Sequence, residues 1–417
     1  MTEVGVRRVA AGWLLALLVA LGLGLWLLVP WGTLPDPSDA ELRRSFTGAE
    51  IGRGDRFAGQ VRPPTYLSML VGLGLLVGLT QTGRGLALLR RLAGRSERWW
   101  LQVPVAVLSV SAAGWLVTLP LGIWRWRVLR VWELSTQTFG AWLFDGLKAL
   151  GITAGLTAAG LLLLVWLARR MPRWWFVPAS LGSVVLTFAM SFAYPVLFEP
   201  VFNSFTPMQA GPLRTDLLTL AERDGVQVDD VLVADASRRT TSLNAYVSGF
   251  GATRRIVVYD NLLAEATPEE VEVIVAHELG HADGNDVLTG STLSALGGAT
   301  GVTLLWWVLG SGWVRRRGVE GAGDPMAATV VLGLAAVSAL LLAPVTSGIS
   351  RQVEARADRH ALELSRQPDT VISMQQRFAI HNISDLTPPR WSYLAFATHP
   401  SSVQRIDLAR RWAQENE

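Results

Sequence analysis

The segment His277-Glu278-Leu279-Gly280-His281 joins three residue types that together can hydrolyse a peptide bond. Residues four apart on a helix share a face, so both imidazoles can reach one metal ion. Glu278 follows His277 directly and stands beside that face, where it can take a proton from a water next to the metal. This is the spacing by which zinc peptidases hold their metal and their general base. Cysteine is absent, so any metal must be held by histidine and carboxylate. Two imidazoles and a carboxylate suit zinc, one ion per chain. The third ligand is best sought at Glu354, in Ser350-Arg351-Gln352-Val353-Glu354-Ala355-Arg356-Ala357-Asp358. Asp358 lies one helical turn further and can accept the free N–H of a ligating histidine, fixing its tautomer and angle. The competing reading of this stretch is an exposed charged helix, solvated by Arg351, Arg356 and Arg359.

These residues need elements to hold them. The motif helix has a marked start: Thr267 as N-cap, Pro268 at the first helical position and Glu270 at the third. The apolar run Val271, Val273, Ile274 and Val275 follows. Ahead of it the spacing predicts a helix over about Pro212–Asp224. Three strands then follow near Asp230–Ala234, Ser242–Ser248 and Arg254–Tyr259, each rich in Val, Ile or Tyr. Beyond the seventh apolar run the sequence predicts helices over about Ser350–Ser365 and Thr370–Ile380, a Pro-Pro loop, and a last helix after Pro400.

Most of the 417 residues serve another purpose. Half are hydrophobic, only 17% are charged, and mean hydropathy is +0.32, which excludes an ordinary soluble multidomain protein. Seven runs contain no Asp, Glu, Lys or Arg: Val9–Pro35, Pro63–Gly83, Trp99–Trp124, Ala149–Ala168, Trp174–Phe198, Val287–Val314 and Pro325–Ser350. About twenty apolar residues cross a bilayer as a helix. The first run is too long for the h-region of a signal peptide and reads as a retained span. Residues 1–198 therefore hold spans one to five and residues 287–350 hold spans six and seven. Residues 199–286 and 351–417 supply an α+β catalytic unit between and after them. The net charge of +3 comes from basic residues flanking apolar runs, which reads as membrane topology and not as a nucleic-acid surface. Lys148 is the only lysine, and the Arg-rich composition points to a high-GC bacterial host and its plasma membrane.

Taken together, the zinc motif and the Ser350–Asp358 stretch resemble the integral-membrane zinc metallopeptidases of the CAAX prenyl protease 1 type. Further matches are Tyr194-Pro195, Phe202-Asn203 with Phe205-Thr206-Pro207, Asn244-Ala245-Tyr246, Ile256-Val257-Val258-Tyr259-Asp260, and His399-Pro400 with Arg405. The resemblance implies a mainly α fold in which seven transmembrane helices enclose a water-filled chamber with zinc on its inner side, and a small α+β zinc peptidase domain is built from the loop between the fifth and sixth spans and the C-terminal region. It strengthens Glu354 as the ligand beside His277 and His281, with Glu278 as base. It brings His399 near the site as an oxyanion donor, with Arg405 assisting it or binding a substrate carboxylate. A strand at Asn244, Ala245 and Tyr246, if it lies at a sheet edge, would pair with an extended substrate. His360 and His381 match nothing and read as structural or surface residues.

One departure bears on the substrate. Asp286 stands where eukaryotic CAAX proteases tend to carry a further histidine, and resembles instead the bacterial HtpX-like quality-control peptidases. The expected partners are therefore the lipid bilayer and a peptide or membrane-protein substrate, unfolded, membrane-tethered or CAAX-like. A quality-control protease and a non-catalytic receptor or scaffold are the alternatives. An intramembrane site-two protease is disfavoured because charged residues flank the motif on both sides. Topology gives two opposed expectations. With the N-terminus inside, thirteen arginines of the short loops lie in the cytoplasm and nine basic residues outside, favouring an external active site. The resemblance implies a cytoplasmic one, and a reporter fused after Glu417 decides between them.

Overall fold

The computed structural model describes residues 2–416 apart from 33, 35–37, 95–97 and 250–253. Pro35, the end of the first apolar run, and Arg95 lie outside the described residues. Seven helices are long and apolar enough to cross a membrane: Glu3–Leu28, Gly48–Gln81, Trp99–Val131, Phe139–Arg170, Phe176–Phe202, Asp286–Leu309 and Ala327–Ser365. Several outlast their apolar runs, because a helix need not end where the bilayer does. The second starts at Gly48, behind a capping box in which Thr47 and Glu50 satisfy each other's backbone N–H groups.

In space the sixth span touches the fifth, the fifth the fourth, the fourth the third, the third the second and the second the seventh. The seventh touches the sixth again and also packs on the third and fourth, so the helices close a ring across which the seventh leans, with the first against the sixth. Leu15, Trp26, Leu116, Val185 and Leu341 are among many large apolar side chains left exposed. A surface of this kind is stable against lipid and not against water.

The largest departure from expectation is in the seventh span. The helix expected to begin near Ser350 is its continuation, a single rod of 39 residues over Ala327–Ser365, with Pro344 inside it. At 1.5 Å per residue the rod is about 58 Å long. Glu354 and Asp358 thus sit on an element anchored across the membrane.

The catalytic unit is built on a four-stranded sheet. Its strands are β1 (Phe205–Pro207), β2 (Asp230–Ala234), β3 (Ala245–Ser248) and β4 (Arg255–Tyr259), in the order β1-β2-β4-β3. β2 and β4 are parallel, and the other pairs are antiparallel. β1 was not among the expected strands, and β3 begins three residues later than expected. β3 is an edge strand. The motif helix runs over Pro268–Asp283 and is nearly engulfed: Val273, Val275, Ala276 and Leu279 have no exposed surface. They share one core with Leu217, Val231, Ile256, Leu362 and Met374, which locks sheet, motif helix and the end of the seventh rod together. The C-terminal region adds helices at Pro368–His381, Arg390–Phe396 and Ser402–Asn416. The capping box at Thr267 and Glu270 is present, and Glu270 also pairs with Arg377 at 2.8 Å, tying the third-last helix to the start of the motif helix.

Candidate active site

Three side chains converge across two helices. His277 Nε2 and His281 Nε2 lie 3.2 Å apart. Glu354 brings one carboxylate oxygen within 3.3 Å of His277 Nε2 and the other within 3.6 Å of His281 Nε2. Ligands bonded at about 2.0–2.1 Å around a tetrahedral ion stand about 3.3 Å from one another. The three separations fit that figure. Glu354 Oε2 is also buried with no hydrogen-bond partner, an expense that a cation at this point would remove. The residues therefore fit a metal ion, and Glu278 forms a cluster of potential ligand atoms with His277 and His281.

The approach of the two helices depends on Gly280, inside the motif. A Cβ there would lie 3.0 Å from the Cβ of His360 and 3.2 Å from the Cα of Ala357 on the seventh rod. A bare α-carbon lets the rod come close enough to bring Glu354 to the imidazoles. On the same interface His360 bonds Asp224 at 2.7 Å, which gives it the structural role expected for it. His381 likewise bonds the Thr241 carbonyl at 2.9 Å.

Each imidazole is aimed by a carboxylate behind it. Asp358 stands 2.9 Å from His277 Nδ1, and Asp286 stands 2.8 Å from His281 Nδ1. Donation from Nδ1 turns the Nε2 lone pair of each ring toward the shared point. Asp286 was legible only as a departure from the family pattern, and its contact with His281 was missed. Asn285, in the left-handed region at φ 51°, turns the chain so that Asp286 comes back under the motif helix. Arg356 then pairs with Asp286, passing through the space that a Cβ on Gly284 would need.

Arg405 is tied to one of these carboxylates. Its Nε donates to both oxygens of Asp358, at 3.0 and 2.9 Å, and Nη2 reaches the same carboxylate. A buried guanidinium needs such a partner. Nε and Nη2 are thereby engaged by Asp358, and the residue also lines the pocket. His399 stays open to that pocket, with Nε2 3.3 Å from Glu354 Oε1 and Nδ1 2.9 Å from the Thr398 hydroxyl. The cavity, of about 600 Å³, is lined by His277, Glu278, His399 and Arg405 and by Asn244, Ile274, Met374 and Phe378. Of the three residues expected to meet substrate, Asn244 is exposed there. Ala245 is buried, and Tyr246 turns toward Glu199, 3.5 Å away, and the Tyr259 ring. Alternation accounts for Ala245, whose side chain faces the opposite side of the sheet from its neighbours, whereas Asn244 precedes β3.

The charges are tuned by burial and by neighbours. Burial alone would push the His277 imidazole down, but the adjacent Asp358 and Glu354 carboxylates outweigh it and carry it up to about 9. Burial holds the Glu278 carboxyl above the usual carboxylate range, against the pull of His277 and His281. A pH dependence follows. Below about pH 9 an incoming ion must displace the His277 proton, so metal affinity falls as pH falls, by about tenfold per unit. Titration of the metal-free protein against a competing chelator at pH 6, 7 and 8 should show this slope; a flat profile would contradict it. Asp358→Asn and Asp286→Asn each remove one orienting carboxylate. Each should weaken metal binding by about 10–100-fold without abolishing it, and unchanged affinity in both would discount the geometry.

Comparison with known proteins agrees with this construction. Residues 207–413 match the model of peptidase family M48. Residues 65–204 match a model described as CAAX prenyl protease N-terminal, five membrane helices. The chain is 30% identical over 315 residues to the Bacillus subtilis protein named "Uncharacterized metalloprotease YhfN", covering 75% of this chain and 74% of that one. It is 32% identical over 183 residues to CAAX prenyl protease 1 of Saccharomyces cerevisiae, 43% of this chain and 40% of that one. The crystal structure of S. mikatae Ste24p superposes with a TM-score of 0.76 over 97% of this chain and 98% of that one, at 20% identity, a likeness of fold. With a bacterial relative matched along three quarters of both chains, and family models running from the second span to the last helix, this chain belongs to peptidase family M48 as a membrane-embedded metallopeptidase.

Proposed function

We propose that the chain is a zinc metalloendopeptidase of a bacterial plasma membrane, acting on unfolded, membrane-tethered or CAAX-like peptides. The observation that carries this is the tetrahedral spacing of His277, His281 and Glu354, with Glu278 beside them in an open pocket. Three protein ligands with one position left free is the pattern of a catalytic zinc. When bound, the ion acts as a Lewis acid and lowers the pKa of water to about 7.

The chain's own residues divide the remaining work. Glu278 takes a proton from the attacking water and passes it to the leaving amine. Its raised pKa brings it nearer to working pH and suits both halves of that transfer. His399 donates to the carbonyl oxygen as negative charge develops on it. Its exposure in the pocket and its closeness to Glu354 support this role. Asp358 and Asp286 aim the two histidines, and Arg405 holds Asp358 in place. At the mouth of β3, Asn244 meets the substrate main chain, while Ala245 and Tyr246 shape the strand behind it.

A ring of helices around the site's membrane end would keep folded domains away and admit extended chain. The family likeness points to a prenylated C-terminus, whereas Asp286 and the bacterial relative favour a wider range of peptides. Prenylation then helps only by drawing substrate into the bilayer. Farnesylated and unmodified forms of one peptide, compared in detergent at matched concentration, test this. Cleavage of the unmodified peptide is expected; an absolute requirement for the prenyl group would overturn the wider range and restore CAAX processing.

A further inference from the structure

A second cavity, of about 1010 Å³, opens at the other end of the helix ring. The sixth span starts at Asp286, beside His281, and ends at Leu309, which lines this cavity. At 1.5 Å per residue that is about 35 Å, the depth of a bilayer. The walls come from the start of the first span, the turn between the fourth and fifth, and the loop from the sixth to the seventh. No step of the proteolytic mechanism uses it.

Five arginines line the cavity, Arg7, Arg90, Arg169, Arg173 and Arg315, against the carboxylates of Glu3, Glu320 and Asp324. Two are neutralised: Arg7 by Glu3 at 3.0 Å and Arg90 by Asp324 at 3.0 Å. Asp324 is spent further, accepting from the backbone N–H groups of Glu320 and Met326 at 3.1 and 2.9 Å. Arg169 keeps its charge. It is held in place by the Gly323 carbonyl at 2.9 Å and by the Trp99 ring, 4.9 Å below its guanidinium. Arg173 and Arg315 are exposed and have no carboxylate partner among the described residues. Three uncommitted cations therefore face one uncommitted carboxylate, Glu320.

The setting is that of a lipid headgroup layer. Trp175, Trp306 and Trp307 share the cavity wall, and Trp306 Nε1 donates to the Arg173 carbonyl at 3.1 Å. Indole rings at span ends mark headgroup depth, and basic pockets between membrane helices at that depth attract anionic lipid. Guanidinium groups give phosphate paired hydrogen bonds that an ammonium cannot. We infer that this cavity is a binding site for a phosphate-bearing anion, held by Arg169, Arg173 and Arg315 on the membrane face opposite the protease site. A phospholipid headgroup and a free phosphate share that chemistry.

Full-length protein in neutral detergent can be offered phosphatidylglycerol, phosphatidylcholine or inorganic phosphate. Retention is then read by native mass spectrometry and protection by the thermal midpoint. Phosphatidylglycerol should be retained over phosphatidylcholine. The double variant Arg173→Gln/Arg315→Gln should bind it roughly 30-fold more weakly. Arg316→Gln, on the same face but outside the cavity lining, should bind as wild type, and both variants should cleave peptide normally. Protection by phosphatidylglycerol alone assigns the cavity to a lipid headgroup. Protection by inorganic phosphate as well assigns it to the free anion, and either result upholds the site. Equal retention of the two lipids, or equal binding by the double variant and the control, overturns it. If the double variant fails to fold, retention by wild type decides: it should fall with added salt, and indifference to ionic strength overturns the site.

Discussion

Glu278→Gln should lower peptide cleavage by about 10²–10⁴-fold while metal content stays near one ion per chain. Glutamine keeps the shape of the side chain and leaves both imidazoles, their carboxylates and Glu354 untouched. What it loses is the basic oxygen that takes the proton. The motif helix is buried on nearly all sides, and an isosteric change there leaves its packing with Val273, Val275 and Leu279 intact. The measurement is turnover of a fluorogenic peptide by purified, metal-replete variant, with metal counted on the same sample. Wild-type turnover with full metal would remove Glu278 from the mechanism.

Glu354→Ala should lose the metal and the activity together. Two imidazoles hold zinc poorly, and the substitution also leaves His277, His281 and His399 facing a gap where a carboxylate stood. The rod that carries it is fixed across the membrane and in the shared core through Ala361 and Leu362, so the fold should survive. Circular dichroism and size-exclusion behaviour of the variant check that point. Stoichiometric metal with full activity would require another ligand. Asp358 is engaged by His277 and Arg405 and Glu363 is exposed, so that ligand would have to come from Glu278 or His399, which stand beside the same point.

The elements read correctly from sequence are those whose signal is local. Four-residue spacing puts His277 and His281 on one helical face whatever surrounds them, and the Thr267 and Glu270 cap is complete within four residues. Twenty apolar residues mark a span without reference to any other part of the chain. The misread elements depend on distant contacts or on continuity. A hydropathy argument stops at Ser350 because charge begins there, yet the backbone keeps its helical hydrogen bonds to Ser365. The bond from Arg405 to Asp358 is not legible in any one stretch, because the two lie 47 residues apart in sequence. Asp286 needed the left-handed turn at Asn285 to become a neighbour of His281. β1 has only three residues, too few for alternation to show, and its pairing with β2 is what makes it a strand. The edge position of β3 likewise follows from strand order, which no single stretch encodes.

Anomalous diffraction at the zinc edge, from crystals of the full-length protein, tests the central claim most directly. The account predicts a single strong peak bonded at about 2.0–2.2 Å to His277 Nε2, His281 Nε2 and a Glu354 oxygen. It further predicts Glu278 beside the remaining open position, without a bond to the ion. A peak held by other residues, or no peak in protein that cleaves peptide, would contradict it.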